Sequence, residues 1–215
     1  LATKLGILMQ RSVCIVVCKA PELGRVKTRL AAEIGNQRAL AVYKELLRIT
    51  LTSVASPAWD VVIVLDGDAA CMPPHPYRCI PQRGNDLGER IVHAMHDVGG
   101  CDRYVVVGSD TPTMTAQHIA NAFATLDTHH VVIGPALDGG YWLIGMREPH
   151  AHLFTDIPWS TDAVCGRTVE RCNQHTHTYA LLDVLSDVDV KDDIESLSPS
   201  PELQSVIDAV RKSVV

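Results

Sequence analysis

The sequence predicts a three-layer α/β/α fold around a mostly parallel sheet, and three observations predict it. Short apolar, β-branched runs recur along the chain. Amphipathic stretches with three- and four-residue spacing separate them, and loops rich in charge or glycine follow several of the apolar runs. With 215 residues, 47% hydrophobic and 20% charged, the chain holds material for one core. A single domain over 13–215 is expected, with 1–12 as an N-terminal extension to which no role is given.

Val13 to Val17 reads as a first buried parallel strand, followed by a polar loop from Lys19 to Arg29. Beyond Gly35-Asn36, the spacing of Leu40, Tyr43, Leu47, Leu51 and Val54 predicts a helix ending at Ser56-Pro57. Val61 to Leu65 is a second strand, and a Pro-rich loop leads to a shorter one at Arg78 to Pro81. Asp86 followed by Glu89 has the form of a capping box ahead of a helix carrying Ile91, Ala94, Met95 and Val98. Tyr104 to Val107 is a strand, Thr115 the N-cap of a helix with Ile119, Ala122 and Phe123, and Val131 to Ile133 the next strand. Tyr141 to Met146 and Tyr179 to Leu182 read as further strands, with a helix from Thr161 to Cys172 between them started by Ser160 or Thr161. Ser200 and Pro201 open a last helix with Leu203, Ile207 and Val210 facing inward.

Composition narrows the function. Lys and Arg number 19 against 25 Asp and Glu, a formal charge of -6, which excludes a broad basic face for nucleic acid. No run approaches the roughly 20 apolar residues of a membrane span, so a cytoplasmic chain is expected, with its seven cysteines reduced. Cys14 and Cys18 share a strand face without histidine at ligand spacing, which makes zinc there improbable; His175 and His177 read as solvent-exposed linker residues, and His129-His130 likewise. There is no Walker loop, no G-x-G-x-x-G and no G-x-S-x-G.

In a sheet of this kind ligands collect at the carboxyl ends of the strands, and four places there carry suitable chemistry. The loop Lys19-Ala20-Pro21-Glu22-Leu23-Gly24-Arg25-Val26-Lys27-Thr28-Arg29 holds four cations and one anion. A local cationic excess beside a glycine, in an otherwise acidic chain, suits a di- or triphosphate. Arg and Lys at a helix N-terminus also oppose the macrodipole, which an innocent helix start would avoid. Gly108-Ser109-Asp110-Thr111-Pro112 offers Asp110 as a metal ligand, and Asp187-Val188-Asp189 offers the second carboxylate that Mg2+ requires. Asp138-Gly139-Gly140-Tyr141 combines close backbone approach with groups that bind hydroxyls. Asn85 and Arg90, at the start of the second expected helix, are candidates to face a nucleobase or acceptor. Trp59, Trp142 and Trp159, if exposed, would mark an acceptor pocket or a homodimer interface.

These places, in this order, resemble the GT-A fold of nucleotide-diphospho-sugar transferases, most closely a small bacterial family labelled glycosyltransferase A-like. The resemblance rests on Lys19-Ala-Pro-x-x-Gly-x-x-Lys-Thr-Arg-Leu30, Asp86-Leu-Gly-Glu-Arg90, Gly108-Ser-Asp-Thr-Pro112, Gly134-Pro-x-x-Asp-Gly-Gly-Tyr141, Ile157-Pro-Trp-Ser-Thr161 and Asp187-Val-Asp189. The first loop, Asp110-Thr-Pro and Asp187-Val-Asp look like the molybdopterin and phospholactate guanylyltransferase branch. That branch implies a Mg2+ (or Mn2+) dependent nucleotidyl transfer. The basic loop would hold a triphosphate (Lys19, Ala20, Gly24, Arg25, Lys27, Arg29), with Lys27, Arg25 and Asp110 catalytic and Asp110, Asp187 and Asp189 on the metal. Asp138, Gly139, Gly140, Tyr141 and Trp159 would meet the small-molecule acceptor. The alternative is glycosyl transfer from a nucleotide sugar, which in this fold usually relies on a D-x-D element; here that place reads Gly108-Ser109-Asp110, without the first Asp. Asp138 would then be the base. A non-catalytic nucleotide-binding subunit is a third reading, favoured only by loss of the metal carboxylates.

Overall fold

Seven strands form one mixed sheet in the order β3-β2-β1-β4-β6-β5-β7. The computed structural model describes residues 10–197 and 201–211. The strands are β1 (Ser12–Lys19), β2 (Asp60–Asp66), β3 (Arg78–Pro81), β4 (Arg103–Val107), β5 (Val131–Pro135), β6 (Tyr141–Met146) and β7 (Tyr179–Leu181). All neighbours pair in parallel except β6, which runs antiparallel to both β4 and β5. The start of β6 therefore lies with the carboxyl ends of the other strands, and its end lies at the opposite edge. The helices are α1 (Thr28–Ile34), α2 (Asn36–Ser53), α3 (Leu87–Val98), α4 (Ala116–Thr125), α5 (Val164–Gln174), α6 (Lys191–Ser196) and α7 (Pro201–Arg211). Among the described residues no helix is long and apolar enough to cross a membrane.

The central strand shows why the apolar runs do not alternate with polar residues. In β1, Cys14, Val16 and Cys18 point to one face and pack with Tyr43 and Leu47 of α2 and Phe123 of α4. Val13 and Ile15 point to the other face, toward Ile91, Ala94 and Met95 of α3. Both faces are covered, so every position from Val13 to Cys18 is apolar.

The expected elements form; α1, which begins inside the expected loop at Thr28, and α6 add to them, and three details differ. Helix α5 begins at Val164, three residues after Thr161; the Thr161 hydroxyl donates to Pro158 O at 2.7 Å and Ser160 sits at φ 64, so this stretch is a turn. Asp86 caps α3 by accepting from Glu89 N at 2.8 Å, but the Glu89 carboxylate reaches Asn85 N at 2.8 Å, one residue earlier than a capping box requires. Helix α2 buries two faces: Ala39, Val42, Leu46 and Ile49 pack against Leu30 of α1, Ile194 of α6, and Leu203 and Val206 of α7. The inward face of α7 thus includes Val206, while Ile207 is half-buried; Ser200 and the Val210 side chain lie outside the described residues, as do Leu1 to Met9. This second core returns the chain from β7 across α1 and sets the Asp187–Asp189 segment beside the first loop.

Candidate active site

The cleft lies along the carboxyl ends of β1 and β4. It has two lobes, of about 630 and 530 Å3, which share Arg29, Leu87, Asp110, Ser160 and Asp189 and so are continuous. Volumes of that order suit a nucleotide or another small organic ligand.

Lys27 stands at the centre. Its backbone is left-handed at φ 46, ψ 49, immediately ahead of α1, a conformation that costs a non-glycine residue about 1 kcal/mol. The strain turns its side chain inward, where it is only 5% exposed, and its Nζ donates to Asp110 Oδ2 at 2.8 Å and Asp189 Oδ1 at 2.7 Å. Burial disfavours the ammonium, but the two carboxylates outweigh it and hold the pKa above the ordinary lysine range. Burial likewise works against the Asp189 carboxylate, and Lys27 more than offsets that, leaving its pKa below normal.

The carboxylates are positioned from three directions. Asp110 follows β4, and its carbonyl accepts from Val188 N at 3.0 Å, which pins the late acidic segment to the β4 loop. Asp189 N and Val190 N donate to Asp193 Oδ2 at 2.7 and 2.9 Å, fixing the turn into α6. Asp187 accepts a short hydrogen bond from the Thr111 hydroxyl. Burial, and then the charge of Asp110, raise the Asp187 pKa to about 7. Three carboxylates thus face one buried ammonium and the exposed Arg29, whose Nη1 is 3.4 Å from Asp189.

Burial and the charge of Asp110 penalise the Asp187 carboxylate beyond what Lys27 and the Thr111 hydroxyl offset. Carboxylates so placed are hard oxygen donors of the kind Mg2+ or Mn2+ prefers, and a divalent ion would relieve that penalty.

The smaller lobe is lined by Lys19, Lys27, Arg29 and Arg90, all expected near phosphate or base. The Tyr43 hydroxyl donates to Lys19 O at 2.7 Å and lies 3.3 Å from Ser109 Oγ, tying the first loop to the β4 loop. The larger lobe is lined by Asp138, Gly140, Tyr141 and Trp159. Gly139 is left-handed at φ 86, and a Cβ there would run into the backbone carbonyl of Asp162, so only glycine closes this wall. Asp138 Oδ1 accepts from Gly140 N at 2.9 Å. The Tyr141 ring meets Trp159 edge-on at 6.5 Å, and burial pushes its phenol pKa up.

Several residues stand elsewhere than expected. Arg25 is exposed and turned away, paired with Glu22 at 2.9 Å and Asp66 at 3.6 Å, because those carboxylates lie on its own side of the loop; it lines neither lobe. Ala20 is buried and donates its N–H to Asp66 O, while Gly24 serves the turn at φ 76. Asn85 is engaged by Glu89 and lines neither lobe. Trp142, 2% exposed and with its indole N–H on Asp183 O, still lines the larger lobe, whereas half-buried Trp59 packs on Phe123, donates to Val54 O and lines neither lobe. Tyr43, Ser109, Thr111 and Asp193 were not among the expected site residues. Tyr43 carries the spacing of a core helix residue, and nothing local in the sequence signals its hydroxyl.

Comparison with known proteins places this arrangement. A mostly parallel sheet with one reversed strand, flanked by helices, is the nucleotide-diphospho-sugar transferase fold. A crystal structure described as a "putative nucleotide-diphospho-sugar transferase from Desulfovibrio desulfuricans G20" shares it with a TM-score of 0.84 and 31% identity, over 94% of this chain and 98% of that one. The chain belongs to the bacterial family described as "Uncharacterized protein conserved in bacteria (DUF2064)", whose model matches residues 50–161. The inositol-1-phosphate CTP transferase from T. maritima has the same fold at 10% identity, with a TM-score of 0.58 over 96% of this chain and 98% of that one. So does Rv0371C of Mycobacterium tuberculosis H37Rv, in complex with manganese, at 15% identity and a TM-score of 0.51, over 87% of this chain and 100% of that one. None of the curated proteins matches the chain.

Proposed function

We propose that the protein is a Mg2+-dependent transferase of nucleotide-activated groups, and that its reaction is nucleotidyl transfer from a nucleoside triphosphate to a small phosphorylated or hydroxylated acceptor. The observation that carries this is the convergence of the cationic loop and the separated acidic residues on one cleft, with Lys27 Nζ within 2.8 Å of both Asp110 and Asp189. The inositol-1-phosphate CTP transferase on the same fold supports the direction of the reaction.

In this reading Asp110 and Asp187, with Asp189, would hold the metal ion, which would supply charge neutralisation at the donor phosphates; the manganese complex of Rv0371C supports a divalent ion. Lys19, Lys27, Arg29 and Arg90 line the donor lobe and stabilise the charge that accumulates as pyrophosphate leaves. The acceptor oxygen forms its bond to the α-phosphorus from the larger lobe, where Asp138, Tyr141 and Trp159 orient it. Asp189 fixes the Lys27 ammonium at the junction of the lobes.

Glycosyl transfer from a nucleotide sugar is the second reading, favoured by the description of the Desulfovibrio relative. Asp138 is then the base for the acceptor hydroxyl. A thermal-shift comparison in Mg2+ separates the two. A triphosphate at a hundred times its Kd stabilises the fold by about 2.7 kcal/mol. Stabilisation by nucleotide sugars and by no triphosphate reverses the order.

A further inference from the structure

A second constellation lies at the opposite edge of the sheet, beyond the end of β6 and ahead of β5 and β7. Two His-x-His pairs, His150-Ala151-His152 and His175-Thr176-His177, meet there beside His130, so that five of the ten histidines share one patch. One ring nitrogen from each of His150, His152 and His177 lies within 4.8 Å of the other two. His152 Nε2 is 2.9 Å from His177 Nε2, and the His150 and His177 rings are 4.2 Å apart. The expectation that His177 is an exposed linker residue does not hold; it is half-buried in this cluster.

The framework around the rings is set by packing. Leu153 and Phe154 are buried and anchor the 3-10 segment Ala151–Phe154 that carries His152. His177 N donates to Cys172 O at 2.9 Å, and Thr176 is left-handed at φ 57, which reverses the chain between α5 and β7. His130 Nδ1 accepts from Thr178 N at 3.1 Å and holds its ring 5.5 Å from that of His177. A hydrogen bond between two neutral imidazoles would account for one of these contacts but not for the third nitrogen. Burial, and then the neighbouring histidines, lower the pKa values of His150, to about 4, and of His152 and His177; the Glu148 carboxylate works in the other direction on His150 and His177. Nitrogens about 2.1 Å from one ion stand about 3 Å apart at right angles and about 3.4 Å apart at the tetrahedral angle; the His152 and His177 nitrogens are 2.9 Å apart, and that of His150 lies within 4.8 Å of both. Imidazole donors suit Zn2+, Ni2+ or Cu2+ and not Mg2+.

We propose that His150, His152 and His177 form a transition-metal site, independent of the cleft, that ties the 3-10 segment to the turn between α5 and β7. The same segment places Phe154 against Trp159, ring centres 6.4 Å apart, and thereby backs the wall of the larger lobe. The test uses the full, tag-free chain at pH 7.5 with Zn2+ alone, competed against a chromogenic chelator. Wild type should bind one equivalent and melt several degrees higher with it. His152→Gln and His177→Gln should each weaken binding at least tenfold, and Asp110→Asn should leave it unchanged. Failure to bind a stoichiometric equivalent, or equal binding by the double variant, overturns the proposal. Should the variants fail to fold, the wild-type Co2+ spectrum decides. Visible bands of nitrogen coordination are expected; an all-oxygen spectrum, or a thiolate charge-transfer band from cysteine, overturns the site.

Discussion

The cleft and the histidine patch are both groups of titratable side chains gathered from distant parts of the chain, and they differ in charge. In the cleft, three carboxylates face one lysine, and burial together with the charge of Asp110 raises Asp187 to about 7 despite it. In the patch, burial and the neighbouring rings lower His150 to about 4, with no carboxylate among the three clustered nitrogens. In the proposed reading the first, a set of hard oxygen donors beside a buried ammonium, would take a cation together with a phosphorylated ligand. The second, an all-imidazole set, would suit a borderline metal and need no substrate. Donor type and local charge together separate the two.

The difference can be broken first at Lys27. Lys27→Met removes the charge that compensates Asp110 and Asp189, and the transferase activity should fall by at least about a hundredfold. Stability should fall by about 2–3 kcal/mol, less than for a fully buried pair because both carboxylates keep some water. Unchanged denaturant midpoints and unchanged turnover would detach the lysine from both roles. Next is Gly139→Ala, which should cost about 2 kcal/mol through its left-handed backbone and its collision with Asp162, and should raise the acceptor KM more than the donor KM.

Asp187→Asn sharpens the electrostatic side. Its carboxyl binds a proton more tightly folded than unfolded, so in chelator the contribution of this group to stability is greatest below pH 4 and is lost as pH rises through about 7. The variant should therefore match wild type at pH 4, exceed it at pH 8 by a few degrees in Tm, and lose metal-dependent ligand binding. A wild-type curve parallel to that of the variant would remove Asp187 as a strained carboxylate. Arg25→Ala should do least: the residue is exposed and its ion pairs with Glu22 and Asp66 lie outside the cleft, so stability should change by under about 0.5 kcal/mol and donor affinity by less than threefold. A tenfold loss of donor binding would place Arg25 on the phosphates after all.

The two regions were also unequally legible in the sequence. Apolar runs such as Tyr104 to Val107 locate strand ends, and Lys27, Asp110, Asp138 and Asp189 could be named as cleft residues because the rule about carboxyl ends needs only strand order. Arg25 and Lys27 look alike in sequence; only the left-handed turn at φ 46 sends one inward. Tyr43 acts through a contact that no local pattern encodes, whereas Asp193 accepts from Val190 N three residues earlier, a helix-start signal that the sequence does carry. The histidine cluster depends on the reversal of β6, which brings His150 beside His177 at the edge away from the cleft. Neither His-x-His pair carries that information alone.

The central claim is that Lys27 and the three aspartates grip one metal-chelated, phosphorylated donor. Calorimetric titration of a panel of nucleoside triphosphates into wild type and Asp110→Asn, with and without Mg2+, tests it most directly. At least one triphosphate should bind the wild type in a Mg2+-dependent manner, and Asp110→Asn should lose that dependence while melting within about 1 °C of wild type. Binding by Asp110→Asn with the same Mg2+ dependence, or no binding by wild type of any triphosphate or nucleotide sugar, would contradict the account.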